Sequence, residues 1–153
     1  MDLCIKDRLN IKNRTDIGSC CLFMKNKKTK GDIAENIAVS YLLENNYEIL
    51  ERNFREPYGE IDIVAFKDEV FRFVEVKSSF VKRGSLKSGY LEMFSPQDRV
   101  NRKKIETIAK TAVSYLERKG KEDRPWCIDT VGLYFSNEGD LLKTELVENV
   151  VLC

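Results

Sequence analysis

No histidine occurs in these 153 residues. Its absence removes the commonest general base, every Ser-His or Cys-His nucleophile pair, and the usual nitrogen ligand of zinc. No Cys-x-x-Cys occurs either. The five cysteines (Cys4, Cys20, Cys21, Cys127 and Cys153) are odd in number and irregularly spaced. Neither a zinc ribbon nor a disulfide framework is expected from them, and they read as reduced thiols of a cytoplasmic protein. No apolar run approaches the roughly 18 to 20 residues that cross a bilayer, so no membrane association is expected. The start, MDLCIKDRLNIKNR, interleaves charge with apolar residues and lacks the continuous core of a secretory signal. Any catalysis must therefore use carboxylates, Lys, Tyr or a metal.

What is present suits one soluble domain. Apolar residues make up 42% and charged residues 33%, an ordinary globular balance at a length that can bury a real core. Net charge is only +1, but it is unevenly placed. Residues 1–30 hold eight Lys or Arg against three Asp, and the remainder is net acidic. The expectation is a basic extension over 1–30 followed by a folded domain over 31–153. A basic tail fits nucleic acid, and it equally fits a solvated polar tract before a helix.

The stretch DIAENIAVSYLLENN, residues 32–46, places Ala34, Ile37, Ala38, Tyr41 and Leu42 at three- and four-residue spacing, which predicts an amphipathic helix. Asp32 with Glu35 three residues on reads as a capping box, and Asn45-Asn46 as its end. Strand-like runs follow at 47–54, 60–66 and 70–77, the last two joined as a hairpin through FKDEV. Residues 82–97 have no clean period and predict a mobile loop. A second helix is expected from Gln97 or Asp98 to Lys119, stopped by Gly120, and then strands at 126–135 and 141–152 joined at SNEGD. The order predicts an α/β domain with a central sheet flanked by helices.

The hairpin GEIDIVAFKDEVFRFVEVK carries charges where a core strand would avoid them. Alternation puts Glu75 and Lys77 on one face with Phe71 and Phe73. It puts Asp62 with Glu60 and Val64, opposite Ile61 and Ile63. Pairing Phe66 with Phe71 sets Asp62 opposite Glu75. A slip of one residue would send the two carboxylates to opposite faces. Two adjacent carboxylates need a cation between them to stay ionised. Oxygen ligands without His suit Mg²⁺ or Mn²⁺, which can activate water against a phosphodiester. Lys77 could then orient the water or neutralise the phosphorus centre. The alternative is that Asp62 and Glu75 each pair with a Lys or Arg on a half-exposed face. Glu35 leans toward the apolar side of its helix. It either points at the same metal or serves the capping box with Asp32.

Basic residues gather nearby. Arg99, Arg102, Lys103 and Lys104 sit where acids would suit the helix dipole, so a phosphate partner fits them, as does a solvated face with Glu106 and Glu117. Lys82, Arg83 and Lys87 could add phosphate contacts. Tyr90 and Phe94 could stack on an unpaired base or pack locally.

The runs AENIAVSYLLENNYEILERNF, GEIDIVAF, FRFVEVK, VNRKKIETIAKTAVSYL and WCIDTVGL together resemble the YraN-like family of predicted endonucleases, over roughly residues 31–152. That family is similar to the archaeal Holliday junction resolvases and to the PD-(D/E)xK nucleases. The resemblance implies a restriction-endonuclease-like core, so that 31–153 would be a nuclease-like domain. It implies Asp62 and Glu75 as the metal-binding acids, Lys77 as the catalytic lysine and Glu35 as the helix-one glutamate. It also implies Lys104 as the basic residue opening the second helix, and Gly59, Glu60 and Ile61 as the frame of Asp62. One departure stands out: the family often carries Arg where this chain has Ser79, which removes a phosphate contact. The basic residues 1–30 fall outside the match.

These readings together predict a Mg²⁺- or Mn²⁺-dependent endonuclease. Its substrate would be DNA, by analogy branched or junction DNA, with a homodimer expected on the same analogy. Glu35, Asp62, Glu75 and Lys77 would form the site, and Lys82, Arg83, Arg99, Arg102, Lys103 and Lys104 would hold the nucleic acid. The alternative is a binding module of the same fold without turnover, and a third reading is an interaction module whose acids are ion-paired.

Overall fold

In the computed structural model, which describes residues 27–81 and 102–152, the first helix (α1) runs Lys27–Glu44. It starts ahead of the expected N-cap, so Asp32 lies within the helix and caps nothing. Lysine is a good helix former, and the residues before Asp32 extend the helix rather than ending it. The C-terminus falls where Asn45-Asn46 predicts it. Asn46 adopts a left-handed φ of 64°. Its N–H donates to Leu43 O (3.2 Å), and the Tyr47 N–H donates to Leu42 O (3.0 Å). This pair of bonds satisfies the last helical carbonyls in the Schellman manner and delivers Tyr47 into the core beside Leu42.

The chain continues through β1 (Glu48–Glu56), β2 (Gly59–Lys67), β3 (Val70–Val81), α2 (Arg102–Lys119), β4 (Trp126–Ser136) and β5 (Leu141–Leu152). The sheet order follows the chain, β1-β2-β3-β4-β5. Only β3 and β4 are parallel. Parallel neighbours need a crossover, which α2 supplies. Among the described residues the fold is α/β, a five-stranded mixed sheet with two helices, consistent with a restriction-endonuclease-like core. β3 runs four residues past its expected end at Lys77, because Ser78 to Val81 keep pairing with β4 as far as Ser136. The expected loop over 82–97 and the expected start of the second helix lie outside the described residues. No helix among the described residues is long and apolar enough to cross a membrane.

Each helix covers its own core. Ala34, Ala38, Val39 and Leu42 of α1 pack with Ile63, Ala65, Val74, Val131 and Leu133. Ile108, Ala112, Tyr115 and Leu116 of α2 pack with Phe54, Ile61, Val64, Phe73 and Ile128. Tyr115 meets Phe54 and Phe73 edge-on, with centroids 5.0 and 5.8 Å away.

The β2–β3 hairpin turns on Asp68 and Glu69, both at positive φ (51° and 64°). Two left-handed central residues match the right-handed strand twist and fix a two-residue loop. The register follows: Lys67↔Val70 and Phe66↔Phe71, continuing to Ile63↔Val74.

In β2 alternation fails between Ile61 and Ile63. Ile63 packs toward α1, yet Ile61 packs toward α2 with Phe54, against the expected common face for Ile61 and Ile63. The cause lies in β1. Arg52 pairs with Ile63 and Phe54 with Ile61, but the Asn53–Asp62 step between them is missing from the ladder. Asn53 there has φ 53°. A left-handed residue inside a strand rotates the chain that follows, so the faces exchange at this step.

Candidate functional site

The face exchange and the end of the β2–β3 ladder coincide. Beyond Ile63↔Val74 the two strands part, and the next pair in the same register would be Asp62 with Glu75. There the Asp62 side chain replaces a strand carbonyl: its Oδ2 accepts the Val76 N–H at 2.7 Å. The carboxylate is thereby fixed at the fork between β2 and β3. Its pKa is pushed up to about 6, first by burial and then by the charge of Glu75. The Val76 N–H and Lys104 oppose that rise, and Glu35 adds to it. Asp62, Glu75 and Glu35 thus lie in one electrostatic neighbourhood.

Glu75 follows Phe71 and Phe73 along β3 onto the α2 side. Lys104 Nζ, from the first turn of α2, lies 3.1 Å from Glu75 Oε2. The approach is an ion pair without hydrogen-bond alignment, and Oε2 is buried with no hydrogen-bonding donor. Glu75 and Lys77, two residues apart on one side of β3, line a small cleft with Lys104, Ile105 and Thr130. A buried carboxylate oxygen short of a donor, beside a second carboxylate whose charge is opposed, is a donor set that fits a hard divalent cation. Among the described residues no three Asp, Glu or Cys side chains gather closely enough to hold a metal by themselves. That arrangement leaves water and substrate oxygens to complete the shell, the usual habit of Mg²⁺.

Glu35 comes from α1, its side chain 16% exposed. Its capping-box reading is overturned, because the helix does not begin at Asp32 and the carboxylate faces β1 instead. Oε2 accepts Asn53 Nδ2 at 2.9 Å and Arg52 Nη2 at 3.5 Å. Both donors escaped the sequence reading. The available signal was the tolerance of Asn for left-handed φ.

Glu75, Lys77 and Lys104 line one cleft, and the charges of Glu75, Lys104 and Glu35 act on Asp62. Arg102 and Lys103 are exposed in the first turn of α2, which holds no acid. Lys104 faces Glu75 rather than standing free in solvent. Lys82, Arg83 and Arg99, with Lys87, Tyr90 and Phe94, lie outside the described residues.

A second polar cluster sits on the α1 side. Asp129 is fully buried; it accepts the Asn149 N–H (2.8 Å) and lies 3.3 Å from Arg72 Nη1. The Cys127 thiol, free and buried, also points at Asp129. Burial, then Asp129, pushes its pKa up to about 12, so it is no nucleophile.

Residues 34–133 match the model of "Uncharacterised protein family UPF0102". The chain belongs to the UPF0102 family. The UPF0102 protein of Acetivibrio thermocellus is 42% identical over 121 residues, which cover 78% of this chain and 86% of that relative. The UPF0102 protein of Helicobacter hepaticus is 38% identical over 128 residues, 84% of this chain and 99% of that relative. That of Wolinella succinogenes is 36% identical over 125 residues, 82% and 98% respectively. The family match spans Glu35, Asp62, Glu75, Lys77 and Lys104, and stops short of the basic residues 1–30. In this UPF0102 chain all five acid and lysine positions therefore fall in the part that the family shares.

Proposed function

We propose that this UPF0102 protein is a metal-dependent nuclease that hydrolyses DNA phosphodiesters. The observation that carries the reading is the fork of β2 and β3. It brings Asp62 and Glu75 together, one with a raised pKa and the other with a buried oxygen lacking a donor. Asp62 and Glu75 would hold Mg²⁺ or Mn²⁺, with Glu35 assisting. When bound, such an ion lowers the pKa of water and offsets charge developing on phosphate.

The protein's own residues supply the rest. Asp62 is oriented by the Val76 N–H, so its second oxygen is presented without rotamer search. Lys77, on the Glu75 side of β3, would position the attacking water and the phosphate oxygens. Lys104 supports the ionised form of Asp62. Arg102 and Lys103, exposed at the start of α2, would take up the phosphate backbone. Branched DNA as substrate and a homodimer as the working unit follow by analogy with junction resolvases.

One observation favours a rival. Lys104 already sits on Glu75, as an ion-paired, metal-free module would require. Calorimetry with Mn²⁺ separates the two. The nuclease reading expects saturable binding to the wild type and its loss in Asp62→Asn. Binding indifferent to that change, or none at all, would end the metal reading. Cleavage of duplex, flap and four-way-junction DNA, with Glu75→Gln and Lys77→Ala as controls, then divides enzyme from binder. Binding without cleavage would identify the inactive nucleic-acid-binding module.

A further inference from the structure

We infer that Asn53 is a positioning residue that acts through Glu35 on the Asp62–Glu75 centre, an inference resting on the metal reading above. Asn53 is exposed, lies inside β1, and holds φ at 53°. A non-glycine residue pays for such a backbone angle with strain on the order of 1 kcal/mol, whereas glycine adopts it freely. No packing rewards the side chain at an exposed position. What asparagine supplies and glycine would not is its amide, and that amide donates to Glu35 Oε2 at 2.9 Å.

The placement gives the bond its purpose. Asn53 stands across the missing ladder step from Asp62, so one left-handed residue both turns the faces at Asp62 and reaches Glu35. Arg52, its neighbour, approaches the same oxygen at 3.5 Å. With Oε2 engaged by two donors from one strand, Oε1 is the oxygen left to serve a metal-bound water. The charge of Glu35 reaches Asp62, and an unrestrained Glu35 would swing toward solvent. The Asn53 amide holds it in place, as hydrogen-bonded outer partners hold metal-site ligands generally.

The test is a double-mutant cycle on Mn²⁺ affinity, read by calorimetry on the full chain: wild type, Asn53→Gly, Glu35→Gln and the double variant. Asn53→Gly keeps the backbone angle, so its melting temperature should match or exceed that of the wild type. Its Mn²⁺ affinity should fall by roughly tenfold. The double variant should bind no more weakly than Glu35→Gln alone, since both changes remove one function. Wild-type affinity in Asn53→Gly, or losses that add in the double variant, would overturn the inference and leave the metal reading standing. A wild type that binds no Mn²⁺ would overturn both.

Discussion

Asp62 has to meet two conflicting demands. Its carboxylate stands in for a strand carbonyl toward Val76, and it is buried next to Glu75. Its pKa of about 6 exceeds the ordinary carboxylate value, so the folded protein holds this proton more tightly than the unfolded chain does. Stability from that proton is full below about pH 4 and is lost as pH rises through about 6. Asp62→Asn keeps an acceptor for the Val76 N–H and removes the buried charge. In EDTA at pH 7.5 the variant should therefore be more stable than the wild type, by up to about 3 kcal/mol. The gap should close near pH 4. Denaturant midpoints at both pH values check this, and a variant less stable at pH 7.5 would contradict the burial argument. For the wild type, Mn²⁺ affinity should weaken below pH 6, because the metal must displace the proton.

At the scale of elements, Gly59 sets how closely β2 and α2 approach. A Cβ at this position would collide with the Thr107 methyl group and sit 3.0 Å from Thr111 Oγ1. Gly59→Ala should cost about 1–3 kcal/mol by overpacking. Thr107→Ser in the same chain should recover part of that loss, measured by urea unfolding. The turn of the β2–β3 hairpin offers the opposite sign. Glu69 holds φ at 64°, and its ion pair with Arg124 is exposed and worth little. Glu69→Gly should stabilise by about 0.5–1 kcal/mol in thermal melts. These elements also mark what the sequence made legible. The hairpin register could be read, because a two-residue loop and apolar alternation allow one pairing that buries both strands. The strand order of types could be read for the same reason. The true start of α1 could not, since Asp32 carries a capping signal that lysines before it simply outlast. Nor could the exchange of faces at Asp62, because a single left-handed residue leaves no periodic trace. Glu35 was legible as a carboxylate aimed inward, but its partners Arg52 and Asn53 lie on another element, and only folding brings them together.

At the scale of the whole molecule, Glu75 and the buried Arg72–Asp129 pair lie on opposite faces of one sheet and should behave independently. Glu75 faces α2, while Arg72 and Asp129 lie on the side of α1 with Tyr47, whose hydroxyl donates to Glu148 at 2.6 Å. The partners of Asp129, Arg72 and Asn149, lie 57 and 20 residues away, beyond the reach of local spacing. Asp129 ties β3, β4 and β5 together where the β4–β5 register shifts between Ile128 and Thr130. Removing one member of a buried pair leaves the other charge without compensation, a loss of about 3–5 kcal/mol. Arg72→Met should therefore destabilise by that amount. Asp129→Asn should cost less, since it keeps an acceptor for the Asn149 N–H. Neither variant, while folded, should change Mn²⁺ affinity by more than about twofold, as distant sites without shared partners are additive. Urea unfolding and calorimetry on the same samples decide it. A large change in metal affinity in Asp129→Asn would mean that the sheet transmits strain between its faces, and that the acid fork depends on the buried pair behind it.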